Sequence, residues 1–127
     1  MKRRVILLLI VLFVGVVLAG CYVPPPPPSP EAEFEITGWE QNYYEFFQEY
    51  GLVQVNYRVT NTGLVEIDYY EVWFEVRCFD GSTYQEWTNG LNVGVGKYAT
   101  DYTYIDTADK QAVEVTITDY ELTSYSY

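Results

Sequence analysis

From Glu33 onward apolar and polar side chains alternate along much of the chain, and a period of two predicts strands with one buried and one wet face. Phe34 and Ile36 alternate with Glu33 and Glu35, giving a first strand that ends near Gly38. Val53, Val55, Tyr57 and Val59 alternate with Gln54, Asn56 and Arg58, and Asn61-Thr62-Gly63 marks the turn that follows. The longest pattern comes next. Tyr70, Val72, Phe74, Val76 and Cys78 share one face, and Tyr69, Glu71, Trp73, Glu75 and Arg77 share the other. Asp80-Gly81 predicts a hairpin into a strand around Ser82 to Thr88. Asn89-Gly90 predicts a second turn, before a short strand through Leu91, Val93 and Val95. Gly96-Lys97 opens a strand over Tyr98 to Ile105, whose Tyr98, Thr100, Tyr102 and Tyr104 suit either face. After a polar connection at Thr107 to Lys110, Val113, Val115 and Ile117 alternate with Glu114, Thr116 and Thr118 in the last strand.

Strands this short, with turn signals between them, predict an all-β fold. The expectation is a single antiparallel immunoglobulin-like β-sandwich of about seven strands over residues 33–122, with 123–127 a frayed tail. The segment Gln41 to Tyr50 leaves alternatives open. Tyr43, Phe46, Phe47 and Tyr50 follow the i, i+3, i+4, i+7 template of a short helix covering one end of the sandwich. An aromatic loop or an extension of the strand accommodates the same residues.

The first 32 residues follow other rules. Lys2, Arg3 and Arg4 form a cationic start, and Val5 to Leu18 an apolar run shorter than the ~20 residues that cross a bilayer. Small residues and a cysteine close it in Leu18-Ala19-Gly20-Cys21. This arrangement resembles the lipobox of prokaryotic lipoproteins. The resemblance implies that residues 1–20 are a signal peptide cut between Gly20 and Cys21, and that Cys21 carries lipid on its sulfur. The very apolar stretch fits the general secretory route better than the twin-arginine route that Arg3-Arg4 permit; an uncleaved anchor helix is the bland alternative. Residues 21–32 hold Pro24 to Pro28 and Pro30, a proline-rich tether extended at about 3.1 Å per residue, which gives roughly 20 Å of spacing from the lipid. A binding site for an SH3-like partner is the other use of such a segment. These features predict an extracytoplasmic protein held in the cell membrane or the outer membrane.

Composition narrows the function. Three of the seven basic residues lie in the signal, so from Cys21 on Arg58, Arg77, Lys97 and Lys110 stand against all eighteen acidic residues, a net charge of −14. Such a surface repels nucleic acid and anionic headgroups, so nucleic acid is excluded as a partner. The expected partners are the membrane, through the lipid, and an envelope protein or glycan. Cys78 is the second of two cysteines, so with the Cys21 sulfur in a thioether no intrachain disulfide forms and Cys78 is a small buried hydrophobe.

There is no histidine, which excludes nucleophile–histidine catalysis and histidine metal sites. No catalytic residue, cofactor or metal site is expected. The acids at alternating positions read as a solvated face, although a carboxylate-dependent envelope hydrolase needs only such acids. Asp80, Asp101, Asp106 and Asp109 offer oxygen to Ca²⁺ without EF-hand spacing, and Asp106 and Asp109 read as flanks of an ordinary turn. Aromatic residues carry the stronger signal. Fourteen tyrosines and three tryptophans exceed what so small a core holds, so rings must reach the surface. Trp73 belongs by parity to the wet face between Glu71 and Glu75, and Trp39 and Trp87 lie in other segments. Exposed rings beside carboxylates stack on sugars or receive cationic side chains. The bland reading places Trp73 under the Gln41 to Tyr50 segment as a second small core.

Val59-Thr60-Asn61-Thr62-Gly63, the long strand ending in Asp80-Gly81, and Val95-Gly96 together resemble extracytoplasmic sandwich domains of the FxLYD type. More broadly the region is similar to the water-stress, late-embryogenesis-type sandwiches. Where that family has Phe-x-Leu-Tyr-Asp, this chain has Val76-Arg77-Cys78-Phe79-Asp80. The resemblance implies a sandwich in an extracytoplasmic setting and brings no catalytic residues. The combined expectation is a lipid-anchored, non-enzymatic binding or envelope-scaffolding module. Carbohydrate recognition through exposed Trp and Tyr is the first alternative, and the hydrolase the second.

Overall fold

The computed structural model describes residues 24–125; the expected cleavage and lipidation positions, Gly20 and Cys21, lie outside them. Six strands follow in chain order: β1 (Ala32–Tyr44), β2 (Glu49–Asn61), β3 (Ile67–Cys78), β4 (Thr83–Val93), β5 (Tyr98–Ile105) and β6 (Ala112–Thr123). They form two antiparallel sheets, β1-β2-β5 and β4-β3-β6, packed face to face. The order corresponds to the A-B-E and C′-C-F pairings of an immunoglobulin-like sandwich, with no G strand among the described residues.

The alternating pattern places the core. Val53, Val55, Tyr57 and Val59 of β2 are fully buried, and so are Val72, Phe74, Val76 and Cys78 of β3. Ile67, Val93 and Ile105 close the same cluster, with Phe34 and Ile36 packed at its margin. The largest share of each inner face comes from the middle strand of its sheet. Between them the Tyr57 and Tyr70 hydroxyls meet at 3.0 Å, each satisfying the other's polar atom in an apolar interior. Burial is the leading cause that pushes both phenols above their ordinary pKa.

Four expectations change. Six strands replace about seven, because Asn89-Gly90 makes no turn. Neither residue has positive φ, and β4 runs through them. Gly90 stands opposite Tyr70, and a Cβ there would collide with the Tyr70 ring and its hydroxyl oxygen. The glycine clears space for a ring. The first strand does not end near Gly38. It continues to Tyr44 through bulges at Thr37 and Asn42, and the helical option for Gln41 to Tyr50 gives way to strand, a turn at Glu45–Gln48, and strand again. Tyr43 pairs with Tyr50 across that hairpin, rings 4.8 Å apart, so the spacing that fits a helix is served by cross-strand contact. In β6 a bulge at Val113 leaves this valine exposed and puts Ala112 and Val115 inside.

A side-chain amide ties the loops at each pole, one buried and one half-buried. At the pole where β1 begins, Asn61 donates to the carbonyls of Val65 and Val93 at 2.8 and 2.9 Å and accepts from Gly63 N at 3.0 Å. At the far pole Gln41 reaches the carbonyls of Gly51 and Lys110, each at 2.9 Å, and accepts from Ala112 N at 2.8 Å. Beside it Asp80, in the β3–β4 turn, accepts from the side chain and backbone N of Ser82 and pairs with Lys110 at 3.0 Å. Those contacts, Ser82's first, hold the Asp80 carboxyl down at about 2.

Two measurements check this framework. Tyr57→Phe or Tyr70→Phe leaves one buried hydroxyl unpaired and should lower stability by about 1–3 kcal/mol. The double variant should cost clearly less than the two singles added, as urea denaturation of all four proteins will show. For Asp80, a depressed folded-state pKa gives a contribution that is complete above the ordinary carboxylate value of about 3.9 and is lost as pH falls through about 2. An NMR titration of its side-chain carboxyl should give that low midpoint, with Ser82→Ala raising it more than Lys110→Met.

Candidate functional site

The outer face of β4-β3-β6 follows directly from the burial of the inner one. With Val72, Phe74 and Val76 turned into the core, Glu71, Trp73 and Glu75 must face out. Register then decides their neighbours. Trp73 stands opposite Trp87 on β4 and Asp119 on β6. The two indoles lie 6.4 Å between ring centroids at 32°, Trp73 half-buried and Trp87 48% exposed. On one side of this row, Glu71 is flanked by Asn89 and Glu121; on the other, Glu75 is flanked by Gln85 and Thr116.

Several of these side chains are oriented before any ligand arrives. Tyr69 donates its hydroxyl to Glu71 at 2.7 Å, and that bond raises the phenol's pKa. Gln85 donates to Glu75 at 3.1 Å. One row further along, Arg77 is held by Glu114 at 2.9 Å, an exposed pair of small energetic worth. The result is an aromatic platform with fixed hydrogen-bonding groups on two sides.

Two of the three tryptophans named from the sequence therefore come together, and the third does not. Trp39 lies on the other sheet, at the register position opposite core residue Val55, 37% exposed. Nor does Trp73 form a second small core with the Gln41 to Tyr50 segment, which is the far end of the β1–β2 hairpin in the opposite sheet. Asp101 and Asp106 accept from the nearby backbone N–H groups of Tyr102 and Ala108, and Asp80 is engaged as described. Among the described residues no group of three or more His, Cys, Asp or Glu side chains is placed to hold a metal ion.

Two exposed aromatic groups were not legible as sites. Tyr98, Tyr102 and Tyr104 form a row on the outer face of β5, where Arg58 lies 5.0 Å from the Tyr98 ring centre. Their outward direction is fixed only by pairing with Thr60, Asn56 and Gln54 on β2, a register that no single segment encodes. At the far pole Phe46 and Phe79 are 90% and 80% exposed, and Phe46 meets Phe47 with ring centres 5.0 Å apart. The signal for these was present, since each phenylalanine lies at a predicted turn or in the aromatic segment.

Among the described residues no helix is long and apolar enough to cross a membrane. Comparison with protein-family models, with curated proteins and with solved structures found no match.

Proposed function

We propose that this chain is an extracytoplasmic lipoprotein, anchored in the membrane through lipid on Cys21, whose β-sandwich acts without catalysis as a binding or envelope-scaffolding module. The reading rests on one observation above the others, the Trp73–Trp87 pair on a solvent-facing sheet. Indole surface left in water is unfavourable for an isolated domain, at about 25 cal/mol per Å² of apolar area, and becomes useful when a partner covers it. The lipobox and the proline tether support the location. Lipid burial contributes about 0.8 kcal/mol per CH₂ group, and attachment by more than one chain makes it lasting.

Carbohydrate recognition is the second reading, favoured by the amides of Asn89 and Gln85 on either side of the indole row. Two neighbouring indoles inclined at 32° and bordered by hydrogen-bonding groups can stack on a sugar and bond its hydroxyls. A glycan array separates the two readings, and a hydrolase screen tests the carboxylate-dependent enzyme.

Replacing Cys21 with Ser should abolish lipid attachment and release the protein from membranes. Membrane retention without lipid mass on the N-terminal peptide would refute the anchor. Trp73→Ala and Trp87→Ala should each weaken association with purified envelope material while lowering stability by about 1 kcal/mol, the scale of one aromatic pair. Truncation of a core aromatic costs about 3–5 kcal/mol, and a loss that large in denaturant titrations would make the pair a packing feature.

A further inference from the structure

We propose that the occupant of the Trp73–Trp87 face is a cationic protein segment, an extended stretch presenting arginine or lysine at alternate positions. This rests on the binding-module reading and adds the chemistry of the ligand.

Charge is the first argument. Glu71 and Glu75 stand one strand repeat from Trp73, Asp119 one cross-strand step, and Glu121 on the diagonal opposite Glu71. The basic residue that β3 places on this face, Arg77, is already paired with Glu114. An uncharged ligand covering the indoles would strip water from these carboxylates without supplying a counter-charge, which is unfavourable. A cationic one supplies it.

The second argument is a conflict left standing in the fold. Glu71 and Glu121 are direct cross-strand partners on β3 and β6, and like charges in that relation destabilise a sheet. No ion pair among the described residues reaches either one. Tyr69 bonds Glu71 but brings no charge. A guanidinium or ammonium placed between them removes the repulsion, so the site is at its most stable when occupied.

Spacing and ring chemistry complete the case. Indole is the aromatic side chain that attracts cations best. Along β3, Glu71, Trp73 and Glu75 recur every second residue, about 6.6 Å apart. An extended segment laid along β3 offers its alternate side chains at the same interval. One basic residue can then lie over the indoles while its neighbours reach the carboxylates on either side. Arginine suits both places, since its planar group stacks on rings and bonds carboxylates in a fork.

The test uses the full-length lipidated protein in neutral detergent micelles, with a hexaarginine peptide as probe and cellohexaose and chitohexaose as neutral comparators. Tryptophan fluorescence and calorimetry report binding. Hexaarginine should bind, and the neutral sugars should not. Added salt should weaken binding at least about tenfold. Trp73→Ala, the more exposed Trp87→Ala, and the double variant Glu71→Gln/Glu121→Gln should each weaken it by about tenfold or more. Glu33→Gln/Glu35→Gln, on the outer face of the other sheet, should leave it within about twofold. An equal loss in that last variant would mean general attraction to an acidic protein and would overturn the proposal. Sugar binding through the indoles with hexaarginine silent would overturn the cationic assignment and keep the aromatic face as a binding site. If no probe binds and neither tryptophan variant alters envelope association, the binding face falls together with its proposed ligand.

Discussion

The contact between the inner faces of β2 and β3 is the constraint on which the rest of this domain depends. Each strand is the centre of a three-stranded sheet, and each turns an uninterrupted set of fully buried side chains toward the other. A slip of one residue in either would send valines to water and glutamates or asparagine to the core. The Tyr57–Tyr70 hydroxyl bond sharpens that constraint. Two phenols in an apolar interior are tolerable only when their oxygens meet, so the bond restricts the relative placement of the sheets as well as their register. Gly90 is a consequence of the same arrangement, because the Tyr70 ring occupies the space a side chain would need.

The candidate binding face is the other side of this constraint. Once Val72, Phe74 and Val76 are committed to the core, outward residues of β3 have no freedom to turn away, and pairing with β4 and β6 sets their neighbours. That makes the indole and carboxylate positions as rigid as the sheet itself, a useful property for recognition. The strands that flank β3 are both edges. Bulges at Val113 and Thr118 distort β6, and charged Glu114, Asp119 and Glu121 line it, features that discourage pairing with a further strand. Aromatic surface is displayed on the face of the sheet while its hydrogen-bonding edge is blunted.

What the sequence made legible was whatever depends on local parity. The strand class, the inward set from Tyr70 to Cys78, the outward place of Trp73, and the turns at Asn61-Thr62-Gly63 and Asp80-Gly81 all follow from a period of two or from turn chemistry. What escaped depends on a partner strand. Asn89-Gly90 carries the residues of a tight hairpin, yet here the glycine answers a tertiary need created twenty residues earlier by Tyr70. The helical spacing of Tyr43, Phe46, Phe47 and Tyr50 conceals a hairpin, because a four-residue turn also separates ring partners by seven. Bulges at Thr37, Asn42 and Val113 shift parity within a strand, which no alternation count detects. The meeting of Trp73 with Trp87 belongs to the same class. Each tryptophan is visible alone, and only the β3–β4 register makes them one platform.

The N-terminal approach to β1 has a mechanical meaning. Pro26, Pro27 and Pro28 line a shallow pocket together with Thr62, Gly63 and Leu64, and the Glu31 carbonyl accepts from Thr62 N at 3.1 Å before β1 begins. A pull on this approach therefore enters along β1, thirteen residues paired nearly throughout with β2. Tension in that direction shears the ladder, so its hydrogen bonds share the load and are not broken in succession. A ligand on the opposite sheet would take up the reaction force only after it has crossed the β2–β3 core. Under such tension the relevant strength is the lifetime of the folded state, governed by the rate of unfolding.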